Sequence, residues 1–493
     1  MAYIIPAITA LCVALIHGPF LIDDAYITFR YAENLAVGEG LVFNRGEAVL
    51  GTTSPLLAVG LAFLKLIGLE VPLAARWVGL VSGMAVVIIT QMLAARVMQP
   101  LACLVLGLCL AFHPDLAIAA NSGMETAVSM AVVYAALLMT LQGRYTWAGT
   151  LGGVAFLLRP DGALVVLIAA GVTLCHHPRK IWRPLLAAGL VTLPWLIYAA
   201  VTYGGWIPQS IPAKQLIHPD TPGHILLTNL RRLSFGVPMK LVCGLAVGGI
   251  ALAVVRRSKL VPLAVWMLLY LAGLSASRIM SLFPWYVTPL LPGLLVLAAY
   301  CVEVLIRAVA KRVTETSAWR PWVERRSAPA ILLILAILLF GESPTWHARN
   351  EAQFGRVPVY LRIGDLLGQR CRPGDIVLVG EVGALAYALP EQFIIDSSGI
   401  NSPAVLSARK EDRSRLRTQG IARPSPEGSP QWVLELVDRF EPRYVVTYRP
   451  WLHVQEIVSV PGIAKVYRRV GSDIPGLEHY FILEREEDAP GGP

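Results

Sequence analysis

Two adjacent carboxylates, Asp23 and Asp24, follow the first apolar stretch of this 493-residue chain. Neighbouring residues on a helix point about 100° apart, so one carboxylate can face a cavity while the other accepts supporting bonds or holds a cation. A carboxylate placed in this way can act as a general base for a hydroxyl group. The alternative interpretation is a helix that simply ends in solvated acids.

A second set of ionisable residues lies further along, where His113 and Asp115 precede Glu125. Carboxylate and imidazole groups are common ligands of divalent cations. Asp24, His113 and Glu125, with Asp23 beside them, are therefore candidate ligands for Mg, Mn or Ca. Their spacing matches no recognised metal signature, so the competing interpretation is a helix cap and a turn at Pro114.

The composition requires an apolar environment around much of the chain. Hydrophobic residues make up 55% and charged residues 15% of the sequence, against about 45–50% and about 25% in soluble domains. The seven cysteines show no metal spacing and no disulfide framework, and we interpret them as buried small side chains. No nucleotide-phosphate loop and no nucleic-acid motif is visible, so the net charge of +9 reflects membrane topology rather than a nucleic-acid partner.

The apolar runs predict an all-α polytopic membrane domain. A spanning helix needs about 20 apolar residues, and the first run lacks the charged start and cleavage site of a signal peptide. We predict about 11 transmembrane helices, at residues 3–22, 74–97, 100–118, 125–142, 146–159, 161–176, 184–203, 238–256, 260–276, 284–308 and 327–342.

Topology follows from the loops that are rich in Lys and Arg, which favour the cytoplasmic side. An N-terminus in the cytoplasm places five such loops there, at Arg96, Arg144, 179–183, 256–259 and 307–326. Asp23 and the C-terminal domain then lie on the non-cytoplasmic side of the membrane, with long outer loops at 23–73 and 204–238. We interpret residues 53–69 as an interfacial helix with Lys65 at the headgroups.

We predict two domains, a transmembrane domain at 1–342 and an extracytoplasmic α/β domain at 343–493. Strand-like runs alternate with helix-like segments in the second domain, which favours a small α/β unit. Strands are expected at 375–379, 393–395 and 443–447, a helix at 431–440 and a polar loop at about 407–430. Glu381 and Asp396 could be site residues, but a surface role is the favoured expectation.

Several basic residues fall on the predicted outer side, against the usual charge bias, and could bind a phosphate. Arg159 fits either phosphate binding or a structural pair with Asp161, and Arg278 either phosphate binding or a helix cap. The full set of outer-face cations is Arg30, Arg45, Lys65, Arg76, Arg159, Lys214, Arg231, Arg232 and Arg278.

The run through 23–35, 38–47 and 51–55 resembles the first outer loop of the GT-C superfamily, multi-spanning glycosyltransferases that use polyprenyl-phosphate sugars. It looks closest to the bacterial branch that contains the mycobacterial terminal arabinofuranosyltransferases. Further runs resemble that branch at 121–126, 158–162, 203–214, 284–292, 380–385 and 395–399. Gly205 and Trp206 replace polar residues expected there, and Asp161 stands where Glu is expected.

The resemblance implies roles for individual residues. Asp23 or Asp24 maps to the catalytic acid, and Glu125 maps to a second acid. Some members of the superfamily use a divalent cation. Substrate contacts are implied for Tyr26, Arg30, Asn44, Arg159, Asp161, Lys214, Arg278 and Tyr286.

The function implied by this resemblance is inverting transfer of a sugar from a polyprenyl-phosphate carrier to a cell-envelope glycan, lipid or protein. One alternative function lies within the superfamily, an oligosaccharide polymerase or ligase. Another lies outside it, a transporter or flippase of a lipid-linked sugar. Transporters tend to place their sites near the bilayer midplane within repeated halves, and no repeat is visible here. A non-catalytic assembly subunit is a third alternative, although the first outer loop is complete.

Overall fold

The structure is a computed structural model and divides into two compact units. The helical unit comprises Met1–Leu21, Pro72–Ile197 and Asp220–Ala352, and the mixed unit comprises Ile22–Val71, Tyr198–Pro219 and Gln353–Pro493. The described residues are 3–234, 236–279, 283–313, 327, 329–330, 355–421, 428–448, 452, 460, 466–471, 477 and 479–486. The predicted helix at 327–342 lies largely outside them, as does the predicted boundary after residue 342, which stays a prediction.

Apolar helices build the helical unit, several of them starting at a proline, which suits the first helical position. They are α1 (Ile4–His17), α4 (Val71–Ala94), α5 (Pro100–Ala111), α6 (Pro114–Asn121), α7 (Thr126–Leu141), α8 (Tyr145–Leu158), α9 (Ala163–His176), α10 (Trp182–Tyr203), α12 (Pro222–Leu233), α13 (Gly236–Val255), α14 (Val261–Ala276) and α15 (Leu291–Val313). Short 3-10 turns lie at Pro160–Gly162, Pro178–Lys180, Pro284–Tyr286 and Thr288–Leu290. Each predicted helix up to residue 308 therefore coincides with an observed helix or helix pair.

Among the described residues, four helical segments are long and apolar enough to cross a membrane. A fifth is possible if the pair α5 and α6, bent by 60°, counts as one span. The other apolar helices of this unit have 14–17 residues, about 21–26 Å, and are shorter than the hydrocarbon core of a bilayer. The chain is a multi-pass membrane protein, and the number of eleven spans stays a prediction.

The helices of this unit differ in how much of their surface they bury. The segment Thr288–Lys311 is 89% buried and is central, whereas only 33% of Gly236–Val255 is buried. α13 and α15 approach closely, because a Cβ at Gly249 would lie 2.1 Å from the carbonyl oxygen of Leu297. Small residues permit such close contact between membrane helices.

The first helix ends earlier than predicted. α1 stops at His17, and Gly18 follows with a φ of 76°, a left-handed conformation that ends a helix. Asp23 and Asp24 therefore do not end the first helix, as the prediction for 3–22 required. They open the next helix instead.

The mixed unit combines helices with a five-stranded sheet. Its helices are α2 (Asp23–Ala36), α3 (Pro55–Leu66), α11 (Ser210–Ile217), α16 (Arg356–Gly368), α17 (Gly383–Ala388), α18 (Pro403–Thr418) and α19 (Gln431–Phe440). Its strands are β1 (Ile376–Val379), β2 (Phe393–Asp396), β3 (Tyr444–Tyr448), β4 (Tyr467–Val470) and β5 (Tyr480–Arg485). The order is β2-β1-β3-β5-β4, with β1 parallel to both neighbours and β5 antiparallel to both of its own.

The three predicted strands and the helix at 431–440 are confirmed within a residue or two. The predicted polar loop at 407–430 is wrong, because α18 occupies 403–418. The buried side of α18 includes Arg409, Asp412 and Arg413 beside Val405 and Leu406. Its charge made the segment resemble a loop. The segment 53–69 forms α3, which has 12 residues, and its interfacial position stays a prediction.

Candidate functional site

Asp23 and Asp24 occupy the first turn of α2, where carboxylates suit the partial positive charge of a helix N-terminus. The carboxylate of Asp23 accepts hydrogen bonds from the backbone N–H groups of Gly383, at 3.0 Å, and Ala384, at 2.7 Å. These two groups open α17 in the same unit. Asp23 thus holds the crossover between β1 and β2 against the start of α2.

Asp24 has a different environment. One of its carboxylate oxygens lies 3.8 Å from the ammonium nitrogen of Lys214 on α11, and its side chain is 30% exposed. Of the two adjacent acids, Asp23 is held by backbone donors and Asp24 is the more accessible. The catalytic roles of the two acids stay predictions.

A third carboxylate, Glu381, lies near Asp23. Burial and, to a smaller extent, the adjacent Asp24 raise the pKa of Asp23 to about 6, against the two backbone donors and Arg356, which lower it. Burial and the charge of Asp23 raise the pKa of Glu381 to about 7, although Arg356 pairs with it at 3.1 Å. Two acids of raised pKa thus share this part of the mixed unit.

The surface positions expected for Glu381 and Asp396 are wrong. The side chain of Glu381 is 18% exposed, and Asp396 is fully buried, accepting bonds from the backbone N–H groups of Ser398 and Asn401. Sequence reasoning missed Arg356, the partner of Glu381, and the alternative interpretation of Glu381 as a site residue stays open. The available signal was the run at 380–385, which already resembled a soluble domain of the same branch.

Arg30 lies inside the mixed unit rather than at an open surface. Its guanidinium donates to the carbonyl oxygens of Phe43 at 2.7 Å, Leu389 at 2.9 Å and Gln392 at 2.9 Å, and also to Ala386. The side chain is buried and lies over the ring of Phe43. The predicted substrate contact has no geometric support, because protein carbonyls engage the guanidinium.

Asn44 and Tyr26 are also buried. The Asn44 amide donates to the carbonyl of Ile394 at 2.9 Å and accepts from its N–H at 3.0 Å, so this side chain extends the hydrogen bonding of β2. The ring of Tyr26 packs edge-on against Tyr387. These contacts position the loop after α2, and a substrate contact for either residue lacks support.

Arg159, Glu125 and Asp161 form a buried ion cluster in the helical unit. Arg159 donates to both oxygens of Asp161, at 3.2 and 2.9 Å, and to Glu125 at 3.3 Å. Arg159 and Glu125 are 8% and 6% exposed. A neighbouring cavity of about 10 Å³ is lined by Tyr134 and Tyr270 among others, room for about one water molecule. The structural pairing expected as one alternative for Arg159 is present.

Other predicted residues of the helical unit have structural contacts. His113 caps α6, because its Nδ1 accepts from the N–H of Asp115 at 3.2 Å. Arg278 is exposed in a left-handed conformation after α14, with a φ of 56°. The carbonyl of Tyr286 accepts from the hydroxyl of Tyr270 at 3.0 Å. The cap interpretation of His113 is therefore the one that the geometry supports.

A metal centre was predicted at Asp24, His113 and Glu125. Among the described residues, no group of three or more His, Cys, Asp and Glu side chains is placed to hold a metal ion. Nδ1 of His113 is occupied by the cap, and Glu125 is occupied by Arg159. These residues do not fit a resident cation.

Comparisons with known proteins give one family match and a likeness of fold to solved structures. Residues 345–483 match a family model described as Domain of unknown function (DUF8728). No curated protein matches the chain significantly.

Solved structures match over nearly the whole chain. ArnT from Cupriavidus metallidurans bound to undecaprenyl phosphate has a TM-score of 0.63 at 15% identity, covering 100% of this chain and 98% of that one. The Archaeoglobus fulgidus oligosaccharyltransferase in complex with Zn and sulfate has a TM-score of 0.55 at 12% identity, covering 95% and 71%. The same archaeal enzyme, AglB, with an inhibitory peptide and a dolichol-phosphate, has a TM-score of 0.53 at 12% identity, covering 99% and 74%.

At these identities the likeness concerns the fold. The chain has the fold of ArnT and AglB, and the predicted architecture, a helical membrane domain with a small sheet near the C-terminus, is confirmed. The GT-C superfamily stays a prediction, as does the arabinofuranosyltransferase branch.

Proposed function

We propose that the chain is a membrane glycosyltransferase that moves a sugar from a polyprenyl-phosphate carrier to a cell-envelope acceptor, a glycan, a lipid or a protein. The observation that carries the proposal is Asp24 on the first turn of α2, 3.8 Å from Lys214. A base beside a cation is the pair that transfer from a phosphate requires. The lipids bound in two of these solved structures, undecaprenyl phosphate in ArnT and a dolichol-phosphate in AglB, support a lipid-linked donor.

In the proposed reaction, the acceptor hydroxyl attacks the anomeric carbon and its proton passes to Asp24. The bond between that carbon and the phosphate oxygen breaks, and the departing phosphate keeps the electron pair. Lys214 stabilises the charge that develops on the phosphate. A single displacement inverts the anomeric carbon. Asp23 acts as a positioning residue, because its oxygens are engaged by Gly383 and Ala384.

The remaining predicted site residues keep more limited roles in this proposal. Glu125, Arg159 and Asp161 stabilise the helical unit through their ion cluster. Arg278 and Tyr286 remain candidates for contact with the carrier. The topology remains part of the proposal, with the N-terminus in the cytoplasm and the transfer step on the outer face of a bacterial inner membrane.

The decisive experiment is transfer of radiolabelled sugar in proteoliposomes from prenyl-phosphate donors carrying arabinofuranose, mannose, glucose or aminoarabinose. Crude envelope glycan serves as acceptor. We expect transfer from one donor, lowered about 100-fold or more by Asp24→Asn, because a general base contributes about that much. The matched control is Asp438→Asn, at an exposed position on α19, which should retain wild-type transfer.

Three results would contradict this proposal in different ways. Full transfer by Asp24→Asn would remove Asp24 as the base. Intact binding of prenyl phosphate without transfer from any donor would favour the transporter interpretation. Transfer only from a carrier with a whole oligosaccharide would favour a ligase of the same fold. Loss of activity in EDTA, restored by Mg, Mn or Ca, would reinstate the predicted cation.

A further inference from the structure

The mixed unit contains basic residues that the proposed transfer step leaves without a task. His218 follows Lys214 by four residues at the end of α11, and Arg413 follows Arg409 by four residues on α18. Residues four apart lie on the same face of a helix. α11 and α18 pack through Ala213 and Leu406. We call Lys214, His218, Arg409 and Arg413 the cation cluster.

Arg409 is held in place by its surroundings. Its Nε donates to the carbonyl oxygen of Ser397 at 2.8 Å, and its guanidinium carbon lies 3.9 Å from the centre of the Trp432 ring. Trp432 is itself fully buried. A guanidinium held over an aromatic ring is stabilised there and loses little freedom when it binds a ligand.

The acid next to Arg413 in sequence has other partners. Asp412 accepts from Arg415 at 3.2 Å and from the backbone N–H of Ser429 at 3.0 Å, and it also bonds the Ser429 hydroxyl. Asp412 is 1% exposed. The positive charge on this face of α18 therefore exceeds the negative charge placed to balance it.

Arg413 supplies the observation that points to a ligand. The side chain is 9% exposed, and its Nη2 atom has no hydrogen-bond partner among the described residues. A buried donor without an acceptor is costly, and more so when it is charged. Oxygen atoms of a phosphate are the acceptors that match a guanidinium best.

The same positive charges affect the pKa of His218. Burial first, and then the charges of Lys214, Arg409 and Arg413, lower the pKa of His218 to about 4. The imidazole is therefore neutral near pH 7 and can donate one N–H to an anion. Like charges in one place destabilise each other, and a bound anion removes this cost.

We propose that the cation cluster is a binding site for a phosphate group of a substrate, with Arg413 as the principal ligand and Arg409 and His218 beside it. The proposal rests on the proposed function, because Lys214 also lies beside Asp24. The phosphate has two possible sources, the prenyl-phosphate donor or a phosphorylated acceptor. A donor phosphate is the leaving group of the transfer step and would contact Lys214 and α18 together, whereas an acceptor phosphate would bind on α18 away from the reacting atoms.

The test uses the full-length protein in nanodiscs and two probes, ³³P-labelled inorganic phosphate and undecaprenyl phosphate. Arg413→Gln removes the principal ligand. Lys410→Gln makes the same change of charge at an exposed position of α18 and is the matched control. We expect Arg413→Gln to weaken phosphate binding about tenfold or more, the size of one charged hydrogen bond, with the control unchanged.

The two probes distinguish the sources. If both bind more weakly to Arg413→Gln, the site takes the phosphate of the donor. If only inorganic phosphate binds more weakly, the site takes a phosphate of the acceptor. Equal binding by Arg413→Gln, Lys410→Gln and wild type would overturn the inference, as would no phosphate binding by the wild-type protein.

A second measurement uses the unaltered protein, in case Arg413→Gln does not fold. Diethyl pyrocarbonate modifies neutral imidazole, and mass spectrometry gives the rate at His218. Phosphate should slow this modification several-fold and leave that at His176, an exposed histidine, unchanged. No protection would overturn the inference. Asp24→Asn removes a carboxylate beside Lys214, so it should lose transfer and bind phosphate at least as tightly as wild type. Loss of transfer without loss of binding therefore separates the proposed function from this inference.

Discussion

Two clusters of charged side chains, one in each unit, each contain two carboxylates and one arginine but differ in how the carboxylates are paired. In the helical unit, Arg159 serves both Glu125 and Asp161 within 3.3 Å. In the mixed unit, Asp23 and Glu381 have raised pKa values even though backbone donors and Arg356 lie beside them. A buried carboxylate that is hydrogen-bonded to a cation is costly to leave without it, whereas a raised pKa makes a carboxylate a candidate for proton transfer.

This contrast separates two sets of residues that looked alike in the sequence. Glu125 and Asp24 were both candidate acids, and Arg159 and Lys214 were both candidate phosphate ligands. The geometry gives the first member of each pair a structural partner within hydrogen-bonding distance. Lys214 and Asp24 lie 3.8 Å apart with about a quarter to a third of each side chain exposed, so both remain accessible.

The largest expected effect is that of Arg159→Ala. Removing the cation leaves Glu125 and Asp161 buried without it, which should lower the free energy of unfolding by about 3–5 kcal/mol. Thermal denaturation in detergent measures the loss. Arg256→Ala, at an exposed position after α13, is the control and should change it by less than about 0.5 kcal/mol.

A rescue variant makes this prediction sharper. Replacing all three residues together, as Arg159→Met, Glu125→Gln and Asp161→Asn, removes the uncompensated charge and should restore part of the stability. If Arg159→Ala remains as stable as wild type but loses binding of prenyl phosphate, Arg159 belongs to the substrate site. The comparison between the two clusters would then fail.

The second largest effect is expected on the pH dependence of the free energy of unfolding. The pKa of Glu381 is raised to about 7, so the folded state binds a proton that the unfolded state releases above its ordinary value. The contribution is fully present below about pH 4.5 and is lost as pH rises toward 7, a difference on the order of 3 kcal/mol. In Glu381→Gln the melting temperature should fall less steeply with pH across this window. The smaller dependence that remains comes from Asp23, whose pKa is also raised.

Glu411→Gln provides the control for this pH profile, since Glu411 is exposed on α18. It should keep the slope of the wild-type protein. A variant Glu381→Gln with an unchanged slope would mean that Glu381 has an ordinary pKa. The difference between the two clusters would then be smaller than the geometry indicates.

Elements whose apolar residues repeat regularly could be predicted from the sequence. β1, β2, β3 and α19 lie where the pattern predicts them, because burial of one side or of a whole strand leaves a local periodic signal. α18 was missed because its buried side carries Arg409 and Arg413, and Trp432, against which Arg409 packs, is distant in sequence.

The same reason explains the errors at the site. Arg30 looked like a substrate ligand, but its partners are carbonyl groups of Leu389 and Gln392, more than 350 residues away. Conversely, the adjacent acids were recognised because a short run carries their signal. Residue types that lie together in a short run could be predicted to share a site. The groups that pair with a charged side chain depend on the tertiary fold and could not be predicted.

A moderate effect is expected from Gly383→Ala. A Cβ at this position would lie 1.8 Å from the carbonyl oxygen and 2.7 Å from the carboxylate carbon of Asp23. Backbone must shift to relieve this contact, at a cost of about 1–3 kcal/mol, and sugar transfer should fall because the start of α2 moves with Asp24. Melting temperature and transfer rate measure the two effects.

The matched control is Gly368→Ala, where the nearest atom to a new Cβ is a side-chain carbon of Leu389 at 3.9 Å. This variant should be as stable and as active as wild type. If Gly383→Ala were also unchanged, the contact between α17 and Asp23 would not fix the position of the acids. Asp23 would then lose its proposed positioning role.

The smallest effect on stability is expected from Lys65→Ala. This variant tests whether burial or distance decides the strength of an ion pair. Lys65 lies 2.9 Å from Glu70, the same distance that separates Arg159 from Asp161. The side chains of Lys65 and Glu70 are 29% and 70% exposed, against 9% and 26% in the buried pair. Exposed pairs contribute about 0–1 kcal/mol, so the melting temperature should change little and should become less sensitive to salt.

Lys65 was predicted to lie at the lipid headgroups, and the structure pairs it with Glu33 at 3.4 Å as well as with Glu70. Affinity for vesicles of anionic lipid should therefore be unchanged in Lys65→Ala. A loss as large as that of Arg159→Ala would show that distance, not burial, decides the strength of these pairs. A lowered affinity for anionic vesicles with unchanged stability would support the predicted position of Lys65 at the lipid headgroups. The ion pairs with Glu33 and Glu70 would then be less important than lipid binding.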